Sequence, residues 1–402
     1  MVKILHVVYQ SLPNVAGSSV RTRNILRAQR AKGMATLAVS APGQAPFHTL
    51  NANGVETYEG VRFYRTYLFR NALVGQKGSA GGRFKKIIAF PYFVSRLFSI
   101  GFRERPDVLH AHSMFYCGIA ALIVGRLLGI PVVYEIRSLW YLNSNASLSR
   151  GAQRFFGWIE TRLVRWSDGV VVISAGLANW FAFVRNDLVI VRNAIFEQDI
   201  IREEQAFGGS VTEFGYVGSV TALEGLDFVI EAFARLRREG YSATLHIVGD
   251  GDVTDELKGQ AKALAAPVVF HGSVPFEEVA SQYASIDCII NYRRNERVAH
   301  EVTPLKTLEA AAFGKLVLCS EVGGMLEIMG GKENAIFVKP NDPEKLYQAI
   351  LALHLGRVDT KIIKARATKF LLRHRTWEVN VELYSALYYK ICGFVDPNLC
   401  RR

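Results

Sequence analysis

At 402 residues the chain is too long for one ordinary hydrophobic core, so two domains are expected. Half of the residues are hydrophobic and 21% are charged, which excludes a disordered or fibrous chain. The net charge of +12 points to an anionic partner: nucleic acid, a lipid headgroup surface or a phosphorylated ligand.

The first element is "KILHVVY", a buried strand, followed by a helix in "SSVRTRNILRAQRAKG" and a strand in "TLAVSAP". Next comes "GGRFKKIIAFPYFVSRLFSIGFRERP", residues 81–106, which mixes Arg and Lys with Phe, Ile and Tyr. Such a segment suits either an anionic membrane surface or a helix with a solvated basic side. "DVLHAH", "PVVYEIR", "GVVVIS" and "LVIVRNA" follow as strands bounded by Gly, Pro or Asp. Continuous apolar strands separated by helices predict a parallel sheet covered on both faces. A polar, glycine-containing stretch near 197–212 marks the domain boundary. Beyond it the pattern restarts with the strand "FGYVGS", the helix "GLDFVIEAFARLRREG" and the strands "ATLHIVG", "VVFHGS", "CIINY", "KLVLCSE" and "AIFVKP". The fold class is therefore α/β, with two doubly wound halves in series whose ligands bind at the carboxyl ends of the strands.

Five scattered cysteines (Cys117, Cys288, Cys319, Cys392, Cys400) show no CxxC pair and no zinc spacing with histidine. Reduced thiols, a cytosolic setting and no structural metal are expected. No apolar run reaches about 18 residues, and the amino terminus lacks the pattern of a signal peptide. "DGD" at 250–252 imitates a metal-binding acid pair but follows a strand as an ordinary Rossmann loop. The first strand is not followed by GxGxxG, which argues against a dinucleotide-dependent dehydrogenase.

The stretch "EVTPLKTLEA", 301–310, carries the most chemistry. Thr303 fits a helix cap and Pro304 the first helical position. Glu301 is then expected in the loop before the helix and Glu309 in its second turn. The amides of Leu305 and Lys306 would be unpaired donors at a positive helix end, and Lys306 adds a full charge: a phosphate site.

With "FGYVGS", "LHIVGDG" and "VVFHGSVPFEEV" before it and "LEAAAFGKLVLCSEVGGMLEI" after it, this stretch resembles the carboxyl-terminal half of retaining GT-B glycosyltransferases with a Glu-x7-Glu motif, the family-four or group-one type. "RPDVLHAHS" and "GIPVVYEIR" resemble the amino-terminal half, so the likeness covers nearly the whole chain. "YEIRSLW", "ALEGL" and "TPLKTLEAAAFGKLV" look like the subgroup of exosortase-type exopolysaccharide loci.

The resemblance implies two Rossmann-like domains facing across a cleft. Residues 1–198 with 376–402 would bind acceptor, and 210–375 would bind a nucleotide-sugar donor, UDP- or GDP-linked, with no cofactor and no metal. It implies that Glu301 contacts donor-sugar hydroxyls and that Glu309 binds the ribose. Lys306 and Gly218 would lie near the diphosphate, Gly17 in the glycine loop against the donor phosphates, and Val274 in the stretch that reads the base. His112 would stand near the reacting sugar, and as catalytic residues it and Glu301 are the candidates.

The chain departs from the pattern at two cations. Ser219 and Glu224 stand where the family has an arginine and a lysine that clamp the diphosphate. Arg293, Arg294 and Arg297, with Lys306, are the substitutes, so Lys306→Ala is expected to lower turnover far more than Glu224→Ala. The function implied is retaining transfer of a sugar to a polysaccharide or lipid-linked saccharide by a cytoplasmic, peripheral membrane enzyme contacting anionic lipid through residues 81–106. A hydrolase would need carboxylates on both sides of the sugar. A nucleotide-sugar epimerase of the same fold and a non-catalytic sugar-nucleotide-binding subunit are the alternatives. Nucleic acid is not expected as a partner, since the basic residues form no recognition module.

Overall fold

The protein is described by a computed structural model covering residues 1–11, 17–42, 54–66, 80–142, 148–201, 209–275 and 278–394, without the side chains of 80–88. It divides into two compact units. One comprises Met1–Tyr141, Ser149–Val191 and Trp377–Arg402, the other Leu142–Leu148 and Arg192–Thr376.

In chain order the first unit contains β1 (Lys3–Val8), α1 (Gly17–Ala31), β2 (Ala35–Ser40), β3 (Val55–Tyr58), β4 (Val61–Arg65), α2 (Ala80–Glu104), β5 (Val108–His112), α3 (Phe115–Leu128), β6 (Val132–Ile136), α4 (Arg150–Trp166), β7 (Gly169–Val172), α5 (Ala175–Phe181) and β8 (Val189–Ile190). Its eight strands run β3-β4-β2-β1-β5-β6-β7-β8, all parallel except the β3–β4 pair. Every residue of β5, β6 and β7 is buried, which is why these strands read as unbroken apolar runs.

The β3–β4 hairpin is not among the strands expected from sequence. Glu59 and Gly60 form its two-residue turn, both with positive φ (46° and 73°), the geometry of the tight turns that match strand twist. The signal was present in "VETYEGVRFYR", two alternating runs around a Glu-Gly pair.

The second unit contains β9 (Glu213–Val217), α6 (Leu226–Arg238), β10 (Thr244–Val248), α7 (Thr254–Ala263), β11 (Val268–Gly272), α8 (Val279–Ala284), β12 (Cys288–Asn291), α9 (Arg297–Glu301), α10 (Leu305–Ala312), β13 (Leu316–Ser320), α11 (Gly323–Met329), β14 (Ile336–Val338), α12 (Pro343–His354) and α13 (Thr360–His374). Its six parallel strands run β11-β10-β9-β12-β13-β14. Counted from β9 this is the 3-2-1-4-5-6 order of nucleotide-binding sheets, and the order reverses between β9 and β12. Alternate strand residues supply two cores. Phe214, Ile290 and Leu318 pack with α6 and α12 on one face, and Ile289, Val317 and Cys319 with α10 and α11 on the other.

The last helix, α14 (Trp377–Cys392), returns to the first unit, where the Tyr384 hydroxyl donates to Glu135 on β6. Cys117, Cys288, Cys319 and Cys392 are free thiols, and Cys400 lies outside the described residues. Among the described residues no helix is long and apolar enough to cross a membrane.

Candidate functional site

The stretch 301–310 differs locally from expectation. Glu301 is the last residue of α9, not part of a loop, and α10 starts at Leu305. Pro304 is the residue before the helix, with φ −82° and ψ 135°, and no side chain caps the helix start. Thr303 instead faces Asn193, whose Nδ2 donates to its carbonyl at 3.0 Å and lies 3.4 Å from its hydroxyl. The proline ring fixes φ and removes a donor, so it fits this extended position and displaces the threonine cap. Glu301 and Glu309 thus belong to two short helices, and the residue before α10 gives its first amides no side-chain cap.

Lys306 sits at the β9/β12 reversal. A Cβ on Gly218, the residue after β9, would lie 3.4 Å from its Nζ. The ammonium donates to Tyr216 Oη at 2.5 Å and pairs with Glu224 Oε1 at 2.9 Å. Tyr216 in turn donates to the Ser219 carbonyl at 2.5 Å. Arg293, just after β12, reaches the same Glu224 oxygen at 3.3 Å and points another nitrogen to the Val302 carbonyl at 3.4 Å. Two cations therefore share one buried carboxylate. Neither Glu224 Oε2 nor Arg293 Nε has a hydrogen-bond partner, although both are buried. The cluster carries one net positive charge and unfilled hydrogen-bonding capacity.

Burial pulls the Lys306 ammonium down to about 8, against the upward pull of Glu224. Burial also opposes charge on Glu224, but Arg293 and Lys306 hold that carboxyl below its usual range. Glu309 is partly buried and burial pushes it up to about 7, with Lys306 pulling the other way. Shifts of this kind, packed into one strand-end crevice, are typical of ligand sites.

Arg294, expected to reinforce the clamp, is committed elsewhere: it pairs with Asp227 and donates to the Ala222 carbonyl at 3.0 Å. Gly249, after β10, packs so closely that a Cβ there would lie 1.9 Å from the Gly218 carbonyl oxygen, and its φ of 130° suits glycine alone. The loop after β9 is thereby seated on the loop after β10. Val274 follows β11 and packs against the core on the α10 side. Asp250 accepts from the Gly251 amide at 2.8 Å, the use of a turn residue.

In the first unit His112 ends β5, beside β1 where that sheet reverses order. It lies in a buried polar chain whose direction can be derived. Arginine only donates, so Arg137 fixes His112 Nδ1 as an acceptor. Nε2–H of His112 then donates to His6 Nδ1 at 2.7 Å, and Nε2–H of His6 to Gln29 Oε1 at 2.8 Å. The Gln29 amide donates to Tyr388 at 3.0 Å, and Tyr388 donates to His110 Nδ1 at 2.7 Å. His110 Nε2 faces Glu135 at 3.5 Å, longer than a hydrogen bond of ordinary strength. Glu135 closes the circuit by binding Arg137 at 2.7 Å and Arg21 at 3.0 Å. Burial lowers the basicity of all three histidines, so they are neutral, and each proton has one place.

The three rings also form the one group of His, Cys, Asp and Glu among the described residues whose ligating atoms all lie within 4.8 Å of one another. Five of their six ring nitrogens are engaged with each other and with Arg137, Gln29 and Tyr388, the sixth, His110 Nε2, faces Glu135, and two arginines stand beside them, which does not fit a cation. Both ring nitrogens of His112, expected near a reacting sugar, are used inside the unit in this conformation. Gly17 opens α1 with nothing within 4 Å of a built Cβ, so the chain itself places no steric demand for glycine there.

Residues 16–194 match the family described as "Glycosyl transferase 4-like domain", and residues 212–355 match "Glycosyl transferases group 1". This chain belongs to the group 1 glycosyltransferases. Glycogen synthase of Mycobacterium tuberculosis H37Rv is 27% identical over 61% of this glycosyltransferase and 59% of its own length. Sulfoquinovosyl transferase SQD2 of Arabidopsis thaliana is 23% identical over 83% of this chain and 66% of its own. The match thus spans less than two thirds of these relatives' length. Sucrose-phosphate synthase of Thermosynechococcus elongatus superposes with a TM-score of 0.77 at 16% identity, covering 97% of this chain and 99% of that one. Anabaena HepE in complex with UDP-glucose gives 0.71 at 17% identity, covering 96% and 99%. At such identities the likeness is one of fold, and the fold is GT-B.

Two parts of this glycosyltransferase escaped the sequence reading. Glu224 stood only as a missing cation, and Tyr216 as a strand residue; nothing local in "GYVGSVTALEG" says that both meet Lys306. The histidine circuit left only a faint trace, a His in β1 and two in β5 at alternate positions, which puts the β5 pair on one sheet face.

Proposed function

We propose that this glycosyltransferase moves a sugar from a nucleotide-sugar donor, UDP- or GDP-linked, to a growing polysaccharide or lipid-linked saccharide, with retention of configuration. The second unit binds donor and the first binds acceptor. The observation that carries the reading is the Lys306–Arg293 pair on buried Glu224 at the β9/β12 reversal, beside the uncapped start of α10. A diphosphate leaving group needs positive charge and amide donors held in advance of the reaction, and this cluster offers both. The same cations do the work a metal would do, so no metal is required.

In this reading Glu309 accepts from the ribose hydroxyls and Glu301 from the donor sugar. Val274 lies against the base. His112 lines the acceptor side, its proton order set by His6 and Arg137. The acceptor attacks from the face the diphosphate leaves, and positioning supplies most of the rate. The setting is the cytoplasmic face of a membrane, with α2, from residues 81–106, as one contact with anionic lipid and exopolysaccharide assembly as the process served.

The test is a nucleotide-sugar panel read by thermal stabilisation, followed by transfer to a lipid-linked saccharide with the stabilising donor. One donor should stabilise strongly, and transfer should give an axial or equatorial linkage matching that donor's own. No stabilisation by any nucleotide sugar, or conversion of donor to its epimer without acceptor, overturns the reading.

A further inference from the structure

Helix α4 has an outward face that sugar transfer does not explain. Its inward side is fixed by Leu163 and Val164 in the core and by Glu160, whose carboxylate accepts from Tyr134 at 2.9 Å. Ser149 caps its start by accepting from the Ala152 amide at 3.3 Å. The rotation so fixed turns out Arg154, Phe155, Trp158, Arg162, Arg165 and Trp166, spaced three and four apart as one stripe. Phe155 is 56% exposed, Trp158 54% and Trp166 47%, fractions at which such side chains mark a contact surface rather than a core. The Arg162 guanidinium lies over Trp158 at 5.2 Å and over Trp166 at 5.6 Å, so the aromatics and cations form one layer. The patch continues onto α3, where Arg126 reaches the Trp166 ring at 5.9 Å and Leu127 is 67% exposed.

We propose that α4, with the adjoining end of α3, is the surface by which the protein lies on an anionic lipid bilayer. Trp and Phe sit at the boundary between acyl chains and headgroups, and arginines beside them meet lipid phosphates while their stems cover apolar area. The charge pattern selects this occupant over a second copy of the chain. The only acid between Arg150 and Trp166 is Glu160, and it is buried, so two such faces brought together would set arginine against arginine. The surface lies beyond the α2 segment that the sequence suggests, and it stands whether or not the sugar-transfer reading holds.

The full chain should sediment with vesicles of phosphatidylglycerol and phosphatidylcholine, not with phosphatidylcholine alone, and should be released by salt. Phe155→Ser with Trp158→Ser, and separately Arg154→Gln with Arg162→Gln, should each weaken that binding by about tenfold or more. Arg154, Phe155 and Trp158 are exposed, and Arg162 is half-buried against the rings of Trp158 and Trp166 outside the core, so the melting temperature and its rise with nucleotide sugar should stay close to the wild type's. The wild type's tryptophan emission should shift to shorter wavelength on vesicles, and the shift should shrink in the Trp158 variant. Failure of the wild type to bind overturns the proposal, as does wild-type binding by both α4 variants. Loss of binding only on Phe102→Ser in α2 would move the surface to that helix. A wild type that self-associates without lipid, and an aromatic variant that does not, would assign the face to a second copy.

Discussion

Burial holds the Lys306 ammonium at about 8, so its charge is lost progressively above that pH. Donor turnover should fall on the alkaline side with it. Glu224→Gln removes the anion that pulls Lys306 upward and should move this limb to lower pH. Lys306→Arg should abolish the limb, because a guanidinium stays charged. A pH–kcat/KM profile decides, and an unmoved limb in Glu224→Gln would count against the assignment. Lys306→Ala should cost about 10²-fold in kcat/KM. Glu224→Ala, expected to lower turnover less than Lys306→Ala, should act on stability as well. Removing a carboxylate that neutralises two buried cations should cost about 3 kcal/mol or more of stability, measurable by urea unfolding.

At Glu309 burial shifts the group upward instead. Its folded-state carboxyl stands at about 7, above the unfolded value of about 4.3, so the native protein holds a proton the unfolded chain releases. Stability falls as pH rises through that window. Glu309→Gln should therefore melt with the wild type near pH 4 and above it at pH 8, by on the order of 1 kcal/mol. Equal melting at pH 8 would falsify the strained carboxylate.

Elements owe their stability to unequal contacts. Helix α14 is tied to the first unit by the buried Tyr388, which serves both Gln29 and His110, and at its surface by the exposed Lys32–Glu382 pair. Tyr388→Phe leaves a buried donor and acceptor unsatisfied and should cost about 1–3 kcal/mol. Glu382→Ala breaks only a solvated pair and should cost less than about 1 kcal/mol. Urea titration of both variants checks the ranking, and reversal would mean that the histidine circuit is not a structural element.

The same scale shows what local pattern can reveal. Most strands were legible because both faces are buried, which leaves an unmistakable apolar run. The β3–β4 hairpin was missed although its alternation is present, because Glu56 and Arg65 are buried as a pair and break the apolar run that marks the other strands. The start of α10 was misplaced by one residue because Pro304 takes the position before the helix and the Thr303 hydroxyl faces Asn193 at 3.4 Å, a tertiary partner that no capping rule can anticipate.

At the scale of the molecule, two sheets with separate cores need not unfold in one step. UDP should raise the transition of the second unit, by about 2.7 kcal/mol when present at a hundred times its dissociation constant. Calorimetry with and without UDP checks this, and a first-unit transition that moved instead would place the nucleotide elsewhere.

The sequence by itself determined the α/β class, the two successive doubly wound halves and the stretch 301–310 as the place to look. Those follow from periodicity and short-range spacing, which the chain carries residue by residue. Tertiary structure alone decided that Glu224 is the anion between two cations and that His6, His110 and His112 share one proton order. It also decided which face of α4 meets solvent. Each of these depends on residues dozens to hundreds of positions apart, brought together by strand order and helix packing, and on a burial that alters how strongly each group holds its charge.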